Sequence, residues 1–431
     1  MFSKLEFTLH SSFAILLLFA DRFFDRIKRL VGGGSAIPNY TKGVNLTDHI
    51  VVVTGANIGI GRETSINLVR CGATVVLGCR DIQKGMQAAN EINSSVMSLE
   101  SLEKFPFGLK GRAVFMRLDL SQLSSVVEFA DKVKAEFPRV DTLINNAGLN
   151  TGGKLPSGLE QLFQVNYLGH YLLVRCLESH LVASHDDLSA PAVGRVINLS
   201  SVMHHTGQPD FRASSTRGFS VAEKAKYSYY SDSKLYMNYL TSEVNRRLDP
   251  ARDYSLWAGE SRPTGAGGRP VVAISVNPGA VRSDIWRNAP FQRIYNAIMK
   301  LIFLEVEEGC ASSVFAATVS LNELRAYQKE AAATAKDEGG RFVKRPDVPY
   351  IVPYKVSCLA HEALGVYYGC FFGGVTLPTP AEVKASRSDV SLHNASPTKQ
   401  AAELWMYSAE LCVKNLLSVG MKESDVAFLR K

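Results

Sequence analysis

Tyr230 and Lys234 stand four residues apart in Tyr230-Ser231-Asp232-Ser233-Lys234, and on a helix residues i and i+4 share one face. A phenol of pKa about 10 is a poor acid at neutral pH. An ammonium beside it favours the phenolate and lowers that value, which would make Tyr230 a usable proton donor to a carbonyl and acceptor from an alcohol. Chance produces this pair often, so its weight comes from what precedes it. Upstream, Val51-Val52-Val53 runs into Thr54-Gly55-Ala56-Asn57-Ile58-Gly59-Ile60-Gly61, a buried strand followed by glycines where a tight turn leads into a helix. Such glycines let backbone approach a pyrophosphate closely, and the helix N-terminus adds free N–H groups and a favourable dipole. Gly55, Asn57, Gly59, Ile60 and Gly61 are therefore candidate nucleotide contacts. Ordinary turn glycines are the alternative account.

Arg80 follows the second predicted strand, where an acidic residue would hold the 2′-hydroxyl of NAD and an arginine accommodates the 2′-phosphate of NADP. Asp81 comes one residue later but is well placed to cap the next helix. NADP(H) is therefore favoured over NAD(H), with Arg62 as a helper or simply an exposed first-turn arginine. Asp119, after the third strand, suits an adenine-edge contact or a helix N-cap.

The elements that must position these residues alternate. Short β-branched runs at Ile50–Thr54, Thr74–Cys79, Ala113–Leu118, Thr142–Asn145, Arg195–Leu199 and Val271–Val276 are separated by helical stretches near 60–71, 82–93, 122–136, 159–180 and 229–248. That rhythm predicts an α/β fold: a doubly wound parallel sheet of Rossmann type with helices on both faces. The stretches 94–111, 249–270 and 321–352 interrupt it and read as surface insertions without chemistry. The main domain is expected over 45–431.

The 431 residues are 46% hydrophobic and 21% charged, values that exclude a disordered chain or a polytopic membrane protein. A formal charge of +7 is dispersed along the chain, with no dense basic run to form a nucleic-acid surface. Seven scattered cysteines lack metal-like spacing and read as reduced thiols in a cytosol-facing domain. His204 and His205 have no third ligand at sensible spacing, so no metal site is expected.

Residues 1–36 form a separate N-terminal segment. Phe13–Ala20 is the most apolar run in the chain, too short for a confident membrane span of roughly 20 residues. Continued as a helix, Leu16, Phe19, Phe23, Ile27 and Leu30 line one face, with Arg22, Asp25, Arg26 and Arg29 opposite, the pattern of an interfacial anchor. The basic residues after Ala20 predict that the downstream domain faces the cytosol, on the endoplasmic reticulum or another organelle membrane. A helix packed on the domain or on a partner is the alternative. Gly32-Gly33-Gly34-Ser35 then reads as a flexible linker.

Four further stretches fall in order: Asn145-Asn146-Ala147-Gly148, Asn166 in Val165-Asn166-Tyr167, Ser200-Ser201 after Val196-Ile197-Asn198-Leu199, and Pro278-Gly279. With the glycine loop and Tyr230/Lys234, the set resembles the short-chain dehydrogenase/reductase superfamily. Within it, Gly78-Cys79-Arg80-Asp81, Ser200-Ser201-Val202-Met203-His204-His205 and Leu404-Trp405-Met406-Tyr407-Ser408 look like the retinol dehydrogenase group. The catalytic domain of the WW domain-containing oxidoreductase is similar too, although no WW domain is visible. The resemblance covers roughly 45–320 and resumes around 360–415. It implies that Asn166, Ser201, Tyr230 and Lys234 form a catalytic tetrad. Tyr230 would exchange the proton, Ser201 would polarise the substrate oxygen, Lys234 would tune Tyr230 and bind the nicotinamide ribose, and Asn166 would hold a relay water. Asn146, Ala147, Gly148, Pro278, Gly279 and Ser283 would join the cofactor contacts, Ser283 standing where threonine is usual.

Trp286, Phe291, Ile294, Tyr295, Ile298, Leu301 and Ile302 recur at helical spacing just beyond Pro278-Gly279. They are expected to wall an apolar substrate pocket, or else to face the core. The expectation is an NADP(H)-dependent oxidoreductase interconverting a lipophilic aldehyde or ketone and its alcohol. The rivals are a nucleotide-binding scaffold or redox sensor of weak activity, and a ketoreductase of lipid biosynthesis. The oligomeric state stays open, a homo-oligomer included.

Overall fold

The computed structural model describes residues 41–98, 103–183, 193–201, 203–204, 207–216, 229–248, 270–279, 281–282, 304–320, 322, 350–351 and 397–430. Uninterrupted β-branched runs are suited to strands buried on both faces. They form β1 (Ile50–Thr54), β2 (Thr74–Cys79), β3 (Arg112–Arg117), β4 (Thr142–Asn145), β5 (Gly194–Leu199), β6 (Val271–Val276) and β7 (Tyr350–Ile351). All lie in one sheet of order β3-β2-β1-β4-β5-β6-β7, and every neighbouring pair is parallel.

The pleat sends alternate side chains to opposite faces. Val52, Val76, Leu143, Val196 and Ala273 join one core. It is covered by α3 (Leu123–Glu136), α4 (Gly169–Leu181), α5 (Tyr229–Leu248) and α7 (Pro397–Ser418). Val51, Val53, Val75, Ile144, Ile197 and Ile274 join the other, under α1 (Gly59–Arg70), α2 (Ile82–Val96) and α6 (Ala311–Thr318). The expected doubly wound, Rossmann-type sheet is what forms. Its strand order reverses between β1 and β4, and in such sheets the ligand crevice opens there, beyond the strands' C-terminal ends.

Differences from the sequence reading are local. β3 and β5 each begin one residue earlier than expected. Within 94–111, α2 continues to Val96, and Pro106–Lys110 forms a 3-10 turn whose Phe107 carbonyl lies against Gly72. Within 321–352, Tyr350–Ile351 pairs with Ser275 and Val276 as a seventh strand. Residues 249–269, the N-terminal segment 1–36 and the apolar stretch 286–302 lie outside the described residues. Among the described residues, no helix is long and apolar enough to cross a membrane. The helix expected near 159–180 opens with a π-helical turn at Phe163–Leu168. The Glu160 carboxylate accepts the N–H groups of Leu162 at 2.9 Å and Phe163 at 2.6 Å, which sets its start.

The C-terminal α7 closes the first core. Trp405 stands edge-on to Tyr171, ring centroids 4.9 Å apart. The guanidinium carbons of Arg175 and Arg247 lie over its indole at 5.2 and 4.8 Å. Tyr167 and Ser408 share a buried hydroxyl hydrogen bond of 2.8 Å, and Tyr239 donates to Gln400 Oε1 at 2.8 Å. Trp405→Ala removes an indole that is 5% exposed together with two cation–π contacts. It is expected to lower unfolding free energy by about 3–5 kcal/mol in urea titration.

Candidate active site

The loops after β1, β2, β3, β4, β5 and β6 carry the sequence-derived candidates, so one edge of the sheet gathers them. In the first loop Gly55 has φ +64° and Gly59 φ +59°, left-handed values that favour glycine. A Cβ on Gly61 would collide with Asn146 Nδ2 and the Gly55 carbonyl. Asn57 and Ile60 are half-buried in this loop, and the Cys79 thiol beneath it receives the backbone N–H groups of Ala56 and Asn57.

At the end of β2, Arg80 is exposed. The Asp81 carboxylate accepts the Lys84 N–H at 3.0 Å and caps α2, the role the sequence suggested. Arg62 is bound to Glu91 at 3.0 Å and Glu63 at 3.3 Å. Asp119 is buried, its Oδ1 accepting the N–H of Ser121 at 3.0 Å and the Ser121 hydroxyl at 2.6 Å. This oxygen closes a turn ahead of α3, whose N-cap is Gln122 with no side-chain cap, so Asp119 does not take the expected N-cap role.

After β4, Asn146 Nδ2 donates to the carbonyls of Thr54 at 2.8 Å and Gly55 at 3.3 Å. The N–H groups of Asn146 and Ala147 reach the Thr54 hydroxyl at 3.0 and 2.9 Å. A Cβ on Gly148 would lie 3.5 Å from Lys234 Nζ and 3.6 Å from Asn166 Oδ1. This loop therefore touches both the glycine turn and the Tyr/Lys helix. Pro278 and Gly279, half-buried after β6, continue the same edge. Gly279 has φ +80°, and its N–H donates to Asn277 Oδ1 at 3.0 Å. Ser283 lies outside the described residues.

Tyr230 and Lys234 share one side of α5, as their spacing requires, with Lys234 Nζ 5.6 Å from the Tyr230 ring centroid. Nζ donates to the Leu199 carbonyl at 2.8 Å. The hydroxyl of half-buried Ser201 hydrogen-bonds the Tyr230 side chain. Burial pushes the phenol up to about 12, the Ser201 hydrogen bond opposing it, and pulls the Lys234 amine down to about 8. The expected lowering of the phenol by the amine is thus outweighed by desolvation, and Tyr230 stands protonated at neutral pH.

Asn166, in the π-turn, is fully buried. Its Oδ1 accepts the Leu149 N–H at 2.7 Å, and its Nδ2 donates to the Leu149 carbonyl at 2.8 Å and to Ser233 Oγ at 3.0 Å. The amide thereby ties the loop after β4 to α5.

Sequence reasoning assigned no role to His170. It sits with 0% exposure, Nδ1 2.9 Å from the Asn166 carbonyl and Nε2 2.9 Å from Thr54 Oγ1. Burial first, then the Lys234 charge, pull its pKa down to about 4 against the Asn166 hydrogen bond. The signal available was one polar side chain inside Leu168-Gly169-His170-Tyr171-Leu172-Leu173. Beneath the site runs a buried chain: Asn145 Nδ2 donates to Asn198 Oδ1 at 2.7 Å, and Asn198 Nδ2 to Thr241 Oγ1 at 2.8 Å. Thr241 in turn meets Ser275 Oγ at 2.8 Å. No group of His, Cys, Asp and Glu able to hold a metal occurs among the described residues.

A family model described as short chain dehydrogenase matches residues 49–216. Retinol dehydrogenase 12 of Mus musculus is 33% identical over 296 residues, covering 68% of this chain and 78% of that protein. Retinol dehydrogenase 11 of Homo sapiens is 32% identical over 294 residues, with the same 68% and 78% coverage. The chain belongs to the short-chain dehydrogenase/reductase family. Among solved structures, the oxidoreductase yciK from E. coli aligns with TM-score 0.43 and 20% identity, over 66% of this chain and 94% of that one.

As a short-chain dehydrogenase/reductase of the retinol dehydrogenase-like group, the protein is an oxidoreductase, of a family that binds a nicotinamide cofactor. Its own residues fit a dinucleotide. Gly61 leaves no Cβ where backbone must come close, and the buried Lys234 ammonium has no carboxylate partner among the described residues.

That buried charge costs stability. The folded pKa near 8 lies below the ordinary 10.5, so the penalty is complete below about pH 8 and fades as pH rises towards 10.5. A shift of this size corresponds to roughly 3 kcal/mol, less about 1 for the hydrogen bond to Leu199. Lys234→Met should therefore raise unfolding free energy by about 1–2 kcal/mol at neutral pH. Urea titrations at neutral pH and near pH 10 should show that gain shrinking in the alkaline series.

Proposed function

We propose that the protein interconverts a lipophilic aldehyde or ketone and its alcohol with NADP(H) as cofactor. The observation that carries this reading is the side-by-side placement of Tyr230 and Lys234 on one helix face, with the Ser201 hydroxyl on the phenol. A bound nicotinamide supplies the hydride to the carbonyl carbon. Tyr230 gives its phenolic proton to the carbonyl oxygen, and takes one from the alcohol in the reverse direction. Ser201 donates to the oxygen on which negative charge develops. Lys234, charged at neutral pH, lies close enough to stabilise the phenolate that forms and is the ribose-binding donor. Asn166 reaches a relay water through its backbone carbonyl, because its amide is committed to Leu149 and Ser233.

Support for NADP(H) comes from Arg80, free of the capping duty that occupies Asp81. Support for a lipophilic substrate comes from relatives named retinol dehydrogenase and from the apolar residues between 286 and 302. The amphipathic segment within 1–36 would hold the domain at the cytosolic face of a membrane, where such substrates dissolve.

Turnover of NADPH with a panel of lipophilic aldehydes in mild detergent tests the chemistry. Tyr230→Phe should lower kcat by about 10²–10⁴-fold while the dissociation constant of NADPH stays within about twofold; equal turnover in the two proteins refutes the acid. Arg80→Ala should narrow the preference for NADPH over NADH by about tenfold or more, the loss of one charge-assisted contact to the 2′-phosphate. An unchanged ratio of dissociation constants removes the argument from Arg80.

A further inference from the structure

The Thr54 hydroxyl is a complete hydrogen-bond account. Its oxygen has two lone pairs and one proton. The backbone N–H of Ala147 reaches it at 2.9 Å, and that of Asn146, shared with the Ile144 carbonyl at 3.0 Å, reaches it at 3.0 Å. Its third neighbour is His170 Nε2 at 2.9 Å, so the hydroxyl proton goes there and Nε2 must be the acceptor. The imidazole proton is then on Nδ1, aimed at the Asn166 carbonyl 2.9 Å away. One buried ring thereby joins the last residue of β1, which opens the glycine loop, to the π-turn whose Asn166 amide holds Leu149 and Ser233. An imidazolium would carry a second N–H towards an oxygen that two backbone N–H groups already approach.

We infer that His170 is a positioning residue: as the neutral Nδ1–H tautomer it locks the cofactor loop at Thr54 to the Asn166 turn, so the two sides of the crevice keep one geometry. This rests on the dehydrogenase reading of the site for its consequence in turnover, and on hydrogen-bond geometry alone for its tautomer. The low pKa described above agrees with a ring that stays uncharged. Apolar packing alone would account for burial but would leave the ring nitrogens indifferent to proton position.

Two variants separate the linking role from simple filling of space. His170→Leu keeps bulk and loses both polar ends, whereas His170→Gln offers one donor and one acceptor on a similar reach. Thr54→Val removes the hydroxyl from the other side, and Thr54→Ser retains it. Under conditions where urea titration shows each variant fully folded, His170→Leu and Thr54→Val should each lower kcat by about tenfold or more and weaken NADPH binding several-fold. A residue holding reacting groups in place acts on this scale. The double variant should be little worse than either single one, because the link is already broken. His170→Gln and Thr54→Ser should recover most of the loss.

A nitrogen NMR spectrum of the histidine-labelled protein, with the His170 signals assigned by their absence from His170→Gln, reads the tautomer directly. A protonated Nδ1 and bare Nε2 are expected; a protonated Nε2 overturns the inference. So does a folded His170→Leu protein whose kcat and NADPH affinity equal those of the wild type. If the wild type turns over no carbonyl on the panel, the dehydrogenase reading fails by itself, and the tautomer and the NADPH dissociation constants still decide the role of His170. Should His170→Leu not fold, the Thr54→Val and Thr54→Ser pair carries the same comparison.

Discussion

An ammonium group sits nearly out of water, 4% exposed, with no carboxylate paired to it among the described residues. Desolvating a lone charge is among the costliest things a fold can do, and the surroundings of Lys234 answer that cost. The Leu199 carbonyl at the end of β5 accepts one Nζ proton, and the Tyr230 ring offers its negative face one helical turn away. These contacts exist only if α5 lies across the ends of β5 and β6 in one register. Ser200, next along from Leu199, donates to the Lys234 carbonyl at 3.0 Å and helps hold that register.

The second constraint is polar saturation below the crevice. Parallel strands leave their C-terminal ends with backbone and side-chain groups that have no ladder partner. Here the row Asn145, Asn198, Thr241 and Ser275 binds β4, β5, α5 and β6 side chain to side chain. Thr54 and Asn146 do the same between β1 and β4, where the strand order turns around. Apart from Asn145 Oδ1, which is buried without a partner, these side chains bond to groups on other elements, so displacing one element leaves several buried groups unpaired at about 1–3 kcal/mol each. Rigidity at the site follows from that shared penalty. The Lys234 amine is the exception, an expense met elsewhere in the fold, by cores that fill both faces of the sheet and by α7 with Trp405 against Tyr171.

Much of this was legible in the residues. Buried strands with glycine turns announce themselves through β-branched runs, and four strands carry the boundaries expected of them, because burial on both faces leaves little tolerance for polar residues. Tyr230 and Lys234 share a face because a helix has a fixed period. The shift at β3, the π-turn at Phe163–Leu168 and the edge strand Tyr350–Ile351 escaped notice. Each depends on partners distant in sequence or on a single side chain such as Glu160, and none leaves a periodic trace.

The acidity of the phenol shows where sequence ends. Spacing alone establishes that an amine can neighbour Tyr230, and neighbouring charge lowers a phenol's pKa; how deeply the ring is buried, which raises the pKa instead, depends on everything packed around it. Likewise the chain order of Thr54, Asn166 and His170 says nothing of a hydroxyl with two donors already upon it. Local period and composition determined the strands, helices and the candidate residues, since those rest on neighbours along the chain. Tertiary structure alone decided desolvation, tautomer and hydrogen-bond partner, because these depend on which distant atoms fill the last few ångströms around each group.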